Sequence, residues 1–467
     1  MQLKYIPLRM SKFYLDTLVD FLVGFQAKDL AAPVLASAKR VFMDVLGANM
    51  RGSEEAENVQ LAQWAIRNAW PARANATLLR AGFPLVDEQS AALVNGTQGP
   101  SVELDEGYRL ATSHSAVYVM SGTLALGEAL GKSGTDMLAA FVLGYEVASR
   151  AAAAVRSPKF VIMPHGLFST LGTAVVAAKL KGFGVSQFRE TINIAASLGH
   201  IASYPAIMEG ATVRNYWTGA GARDGIQASN MVEWGFAGLP DGMASSYGML
   251  APFEPQRMID GLGGVYAVTQ NYHKQYACNG NFDASIESTL RLVKDNGLRP
   301  QDIRRIRVDI YAPYHTLNKA RPRNTLGAKF SLSYAVAAAA VFRHADHEAF
   351  SPEAMADPEV LRLSAVTELR EDPELAARIP VIRSARVTME LADGRVLSHF
   401  TENPRGHFAN PFTDEELAQK FDRLSGRYLT REGVQRVRNM VLGMEKLGSA
   451  RELTDAMRAN AKSAGGA

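Results

Sequence analysis

Cysteine is almost absent. The chain of 467 residues has one, Cys278, so it can form neither an intrachain disulfide nor a metal site built from several thiolates. That usage fits a reducing, cytoplasmic compartment. Long apolar runs are missing as well. No uncharged apolar stretch reaches the roughly 18 residues a membrane span needs. The opening "MQLKYIPLRMSKFYLDTLVDFLVGF" is interrupted by Lys12, Asp16 and Asp20, and no small-residue cleavage site follows it. The run "YAVAAAAVF" is too short to span and reads as a buried helix. Nor is there an excess of one charge. Lys and Arg number 50 against 47 Asp and Glu, a net +3 spread along the chain, which argues against a nucleic-acid face. A few local cations could still hold a small anion. Walker loops, GxSxG elbows and HExxH motifs are also missing. So is any repeat of roughly 20 to 50 residues. The glycine-rich "GLGG" at 261–264 neither follows a strand nor opens a clear helix, and reads as a turn.

What is present suits a large soluble core. Hydrophobic residues make up 47% and charged residues 21%, and the length predicts two domains. Most of the first 250 residues read as helix. "AVYVMSGTLALGEAL" and "DMLAAFVLGYEVASRAAAAV" are apolar nearly all round, the mark of buried helices. Between them "GKSGT" supplies a glycine stop and a cap at Thr135. "LFSTLGTAVVAAKLKG" is a further buried helix closed by Gly182, and Ser186 is the expected cap of the next. After about residue 268 the pattern changes. Ile303, Ile306, Val308 and Ile310 mark a half-buried strand, and "ARVTMELADGRVLSHF" alternates on both sides of Asp393-Gly394, a hairpin signal. Helical patterns lie at 281–295 and 328–343. Past residue 411 helix returns, with Thr413 as cap, and the tail "KSAGGA" is expected to fray. The expected fold is therefore mainly α: a large all-helical domain built from both chain ends (1–267 and 405–467), with a smaller α+β domain (268–404) inserted. The natural ligand site is the cleft between them.

Four polar islands interrupt the apolar pattern. "ELDEGYRLATSHSAV" crowds Glu103, Asp105, Glu106, Arg109, Thr112, Ser113 and His114 ahead of a helix. "IMPHGLFST" places His165 at a helix start, where the dipole favours neutral imidazole and hence base chemistry; a capping or core histidine is the bland alternative. "EGATVRNYWTGAGARDG" carries Arg214 and Arg223 beside small residues that would let a ligand approach closely. "NYHKQYACNGNFDASIES" gathers His273, Lys274, Tyr276, Cys278 and Asn279, of which Lys274 and Tyr276 could serve a carboxylate. Cys278 has no nucleophile context and reads as a buried structural thiol.

Taken in order, these segments resemble the MmgE/PrpD family, which includes 2-methylcitrate dehydratase, cis-aconitate decarboxylase and iminodisuccinate epimerase. The stretches carrying the likeness are "ALGEALGKSGTDMLAAFVLGYEVASR", "HGLFSTLGTAVVAAKLKGFG", "VRNYWTGAGARDG", "KQYACNGNFDASIES" and "AKFSLSYAVAAA", with the ending "NPFTDEELAQKF". Together they span nearly the whole chain. The resemblance implies the same two-domain fold and a homodimer. It also implies action on small di- or tricarboxylates without a metal or organic cofactor, in a site between the domains. His114 falls near the family's first active-site histidine and His165 on its second. Lys274 and Tyr276 match its lysine and tyrosine, and residues 103–106 match its Asp-rich strip. Arg214 stands where lysine is usual, so it can bind and polarise but not act as a base. Gly107 replaces a substrate-holding threonine and Trp217 a histidine. Gln275, Ala277, Asn279 and Asp283 stand for Pro, Pro, Cys and His.

The roles expected are these. Arg214 and Lys274 hold carboxylates, with Glu103 and Asp105 in the same binding group, one of them orienting His114. His165 moves the proton, and Tyr276 or His114 donates to the leaving oxygen. The expected activity is a cofactor-independent lyase of the dehydratase kind. An isomerase working through a carbanion, and a family member that only binds an anion, are the alternatives.

Overall fold

The computed structural model describes residues 11–156, 161–163 and 165–462. The tail expected to fray is 462–467; its first residue, Lys462, donates its amide to the Tyr428 carbonyl at 2.8 Å, and the rest lies outside the described residues. The fold is mainly α. Its body is a set of mutually contacting helices: Ala32–Gly52, Glu88–Ser101, Ser115–Ala129, Gly134–Ala154, His165–Lys181 and Val213–Glu233. The Gly134–Ala154 helix is apolar and long enough to cross a membrane, yet 94% of its most apolar window is buried inside the protein. It is a core helix, buried on every side as its all-round apolar sequence predicts.

Small residues decide how close these helices come. A Cβ at Gly219 would lie 2.1 Å from the carbonyl oxygen of Leu93 and 2.2 Å from Thr97 Oγ1. The run "TGAGARDG" is therefore part of one continuous helix, and at Gly219 the close approach expected of its small residues is to another helix instead of a ligand. Two caps also move. Ser133, not Thr135, caps the Gly134–Ala154 helix, in a capping box with Asp136. Gly184, not Ser186, precedes the Val185–Leu198 helix. Thr413 caps Asp414–Ser425 as expected, with Glu416 closing the box.

The shorter strands pair in two-stranded ribbons, and the four longest form one sheet: Ile303–Ile310, Thr367–Glu371, Ala385–Leu391 and Val396–Thr401. In space the last strand lies at one edge, then the third, the first and the second. The first two pair in parallel and the others antiparallel. The last two form the hairpin read at Asp393-Gly394, where Gly394 takes φ 87°. "GLGG" lies in turns.

Buried apolar side chains form separate clusters. The largest runs from Tyr14 to Val268 and takes in Phe421, Val437 and Met457 from the C-terminal helices Asp414–Ser425, Arg431–Leu442 and Ala450–Ala459. A second cluster holds the sheet residues Ile306, Val308 and Val387 with Ile286 and Leu332 from two helices against it.

Candidate active site

Two short strands, Gly107–Tyr108 and Asn271–Tyr272, pair antiparallel, with Gly107 opposite Tyr272. This pairing explains why the acidic island and the lysine island meet. Each lies within four positions of the paired residues. They open onto a cavity of about 720 Å³, lined by Glu103, His114, His165, Arg214 and Lys274. Phe330, Tyr314 and Arg383 line it from the other cluster's side of the chain.

Glu103 is the hub. Its φ is 54°, a left-handed conformation that a side chain other than glycine seldom adopts. Its carboxylate lies between two cations: Arg214 Nη2 at 2.6 Å and Lys274 Nζ at 2.7 Å. Lys274 also reaches Asp105 Oδ1 at 3.2 Å. All four side chains are almost completely buried. Burial alone would discharge them, but each opposes its neighbour's desolvation. Burial raises the Glu103 and Asp105 carboxyls, and Arg214, Lys274 and His114 more than offset it, so both stay below the usual range. Burial likewise works against the Lys274 ammonium, and Asp105 and Glu103 overcome it and hold its pKa up. Two cations meet two carboxylates, and the cluster is neutral.

His114 stands at the N-cap of the Ser115–Ala129 helix. Its Nδ1 lies 2.8 Å from the carbonyl oxygen of Glu106 and 3.1 Å from Asp105 Oδ2. Both neighbours only accept, so Nδ1 carries the hydrogen and Nε2 is the nitrogen left for chemistry. His165 begins the His165–Lys181 helix. Its ring centroid is 5.3 Å from that of His114, tilted by 48°, and 5.3 Å from that of Tyr118. Among the described residues His165 Nε2 has no hydrogen-bond partner, and it is buried. Burial, then the nearby His114 and Arg214, push its pKa well below the ordinary value, so it is a neutral imidazole. Arg214 Nη1 donates to the Pro100 carbonyl at 2.8 Å, its guanidinium lies 5.5 Å from the Phe330 ring centroid, and its Nε is unpartnered.

Behind the wall sit further polar groups. Glu106 accepts from the Tyr145 hydroxyl and, at 3.2 Å, from the Ala116 amide. Burial nevertheless pushes its carboxyl up to about 8, so it is protonated at neutral pH. Lys420, on the Asp414–Ser425 helix, donates to the Leu104 carbonyl at 2.7 Å and pairs with Asp44 at 2.7 Å. Lys329 donates to the Ser101 carbonyl at 2.8 Å. These buried ammonium groups tie down the backbone on both sides of Glu103.

The expected site residues thus divide. Glu103, His114, His165, Arg214 and Lys274 share one cavity wall. Asp105 lies behind it, completely buried, and bonds to Lys274 and His114. Tyr276 does not line the cavity. It is buried in the second apolar cluster, where burial and then Glu287 and Asp283 raise its pKa well above the ordinary value. The tyrosine that faces the cavity from this island is Tyr272. Trp217 sits against the small cluster of Met163, Tyr204 and Ile207. Arg223 pairs with Asp224 at 2.8 Å, outside the cavity. Cys278 is buried, and burial pushes its thiol pKa well up, which leaves it unreactive. Reasoning from sequence missed Arg383 and Tyr272 altogether. For Phe330 a signal existed, since it lies in "AKFSLSYAVAAA".

Comparison with known sequences places the chain in a family. Residues 16–260 match the MmgE/PrpD N-terminal domain, and residues 276–446 the MmgE/PrpD C-terminal domain. The chain is 25% identical to the cis-aconitate decarboxylase-like protein oryM of Aspergillus oryzae, over 93% of this chain and 95% of that protein. It is 24% identical to the cis-aconitate decarboxylase of Mus musculus, over 95% and 93%. The identity to that of Aspergillus terreus is 22%, over 80% and 82%.

Proposed function

The chain belongs to the MmgE/PrpD family, and from that premise we propose that it is a cofactor-independent lyase acting on a small di- or tricarboxylate by proton transfer at carbon. The observation that carries this reading is the pair of histidines on one wall. His165 offers a neutral, unpartnered Nε2. His114 beside it has Nδ1 fixed by the Glu106 carbonyl at 2.8 Å and by Asp105 at 3.1 Å.

In a dehydration, His165 Nε2 takes the proton from the carbon next to a carboxylate. The electron pair moves into the forming double bond, and the leaving hydroxyl departs as water with the abstracted proton, relayed to it through His114 Nε2. A neutral, desolvated imidazole is a weak base in the empty site. A bound carboxylate supplies negative charge that strengthens it. The charge that builds on that carboxylate meets the open Nε of Arg214 and the remaining proton of Lys274. Glu103 and Asp105 do not contact substrate as carboxylate binders in this scheme. They pair with the two cations and hold His114 in place. Loss of carbon dioxide instead of water is the second reading, favoured by relatives named as cis-aconitate decarboxylases.

An epimerase would hold a planar carbanion between two acid/base groups. His114 and His165 stand side by side on one wall of the cavity, with ring centroids 5.3 Å apart, which favours elimination or decarboxylation over a reaction that needs a base on each face. The same proposal takes 1–267 with 405–467 as one domain, 268–404 as the second, and a cytoplasmic homodimer as the working assembly.

The test is direct. Purified protein is incubated with a panel of hydroxy and unsaturated di- and tricarboxylates. A new alkene absorbance without carbon dioxide indicates dehydration, and carbon dioxide release indicates decarboxylation. Neither product across a broad panel would overturn the lyase. Solvent deuterium entering an unchanged substrate would reinstate the isomerase.

A further inference from the structure

The cation cluster beside the histidines is already neutral: Arg214 and Lys274 are matched by Glu103 and Asp105. It can donate hydrogen bonds to one carboxylate, but it brings no net charge to hold a polyanion. At the cavity rim Arg156 and Arg257 share Glu254 and are largely exposed. Arg383 is different. It lines the same cavity, and among the described residues it forms no salt bridge. Its Nη2 donates to the Arg109 carbonyl at 3.3 Å. The phenols Tyr272, Tyr311 and Tyr314 surround it, and the carboxyl that feels its charge, Asp283, is held in its protonated form by burial.

Its position is built. The guanidinium carbon lies 4.7 Å from the Tyr272 ring centroid, within cation–π range. Tyr272 in turn stacks on His407, with centroids 6.2 Å apart and planes 26° apart. Burial, then Arg383 and Arg109, push the His407 pKa down to about 4, so it adds no positive charge of its own. The Tyr272 ring needs the space that Gly107 leaves. A Cβ on residue 107 would stand 2.4 Å from Tyr272 Cζ and Oη. Glycine at 107 is thus the condition for Tyr272 to sit in the wall and carry Arg383.

We infer that Arg383 is the anchor for a second substrate carboxylate, positioned by Tyr272 in the space left by Gly107. This rests on the carboxylate reading of the cavity. It deepens that reading by requiring at least two carboxylates, one for the histidine cluster and one for Arg383. Arg383 then sets specificity for polycarboxylates, and Tyr272 and Gly107 are positioning residues.

The test is binding of tricarballylate, an unreactive tricarboxylate, and of butyrate, by calorimetry on the full chain. Wild type is expected to prefer tricarballylate. Arg383→Gln should bind it roughly thirtyfold more weakly, the loss expected when one partner of a buried charge pair is removed, and should bind butyrate unchanged. Gly107→Ala should weaken tricarballylate in the same sense by displacing Tyr272. Equal binding by wild type and Arg383→Gln would overturn the anchor while leaving the lyase intact. No carboxylate bound by wild type would sink the lyase reading and the anchor with it. Unchanged binding in Gly107→Ala would remove Tyr272 and Gly107 from the proposal. Should the variants not fold, phenylglyoxal labelling of wild type followed by peptide mass spectrometry gives the same answer. Tricarballylate should slow labelling of Arg383, and equal labelling with and without it counts against the anchor.

Discussion

Glu103 and Arg214 stand 2.6 Å apart, each side chain 2% exposed. An ion pair so sealed from water contributes little beyond an apolar pair, but losing one member leaves a charge stranded. Glu103 serves two cations at once. Glu103→Gln should therefore destabilise the protein by about 3 kcal/mol or more, read as a lower denaturation midpoint in urea. An unchanged midpoint would mean that water or another carboxylate already compensates Arg214 and Lys274.

His165 makes the opposite prediction. Its Nε2 has no partner to lose, so His165→Gln should leave the melting temperature nearly unchanged. Turnover should fall roughly a hundredfold to ten-thousandfold, the usual range for a general base. Near-normal turnover would remove His165 from the mechanism.

Glu106 ties stability to pH. Burial raises its folded carboxyl to about 8 from the ordinary 4.5. Between those values the folded protein keeps a proton that the unfolded chain releases, so stability falls as pH rises. The stabilising protonation is fully present below pH 4.5 and is gone above about 8. This group alone contributes a slope of about 1.4 kcal/mol per pH unit inside the window. Subtracting the unfolding free energies of Glu106→Gln from those of wild type, from pH 5 to 8, isolates it. A flat difference would show that Glu106 ionises normally.

Gly219 tests whether the site depends on helix contact. Its added Cβ would strike backbone at Leu93, which cannot swing aside as a side-chain tip can. Gly219→Ala should cost about 3 kcal/mol, at the upper end of overpacking. It should also shift the helix that carries Arg214, so that turnover falls with stability. A melting curve like that of wild type would show that the two helices can part freely.

Much of this was legible in the chain. Alternation around Asp393-Gly394 gave the hairpin, and Thr413 with Glu416 gave the cap, because both signals are local. The histidines and paired charges stood out as polar islands in apolar surroundings. What failed was long-range. "NYHKQYACNG" contains two tyrosines, and only the two-residue strand pairing with Gly107 decides that Tyr272 and not Tyr276 faces the cavity. Arg383 stands between Ile382 and Ser384 without a motif, like any surface arginine in sequence. The small residues after Arg214 carried a true signal of close approach, but sequence could not say that the visitor was another helix.

Lys420 lies more than three hundred positions after Leu104, yet its ammonium holds that carbonyl at 2.7 Å beside the acidic strip. During synthesis the ribosome must therefore deliver the Asp414–Ser425 helix before the strip gains this support. Until then the backbone between Glu103 and Asp105 lacks its Lys420 clamp, which places the final bracing of the pocket among the last events of the protein's manufacture.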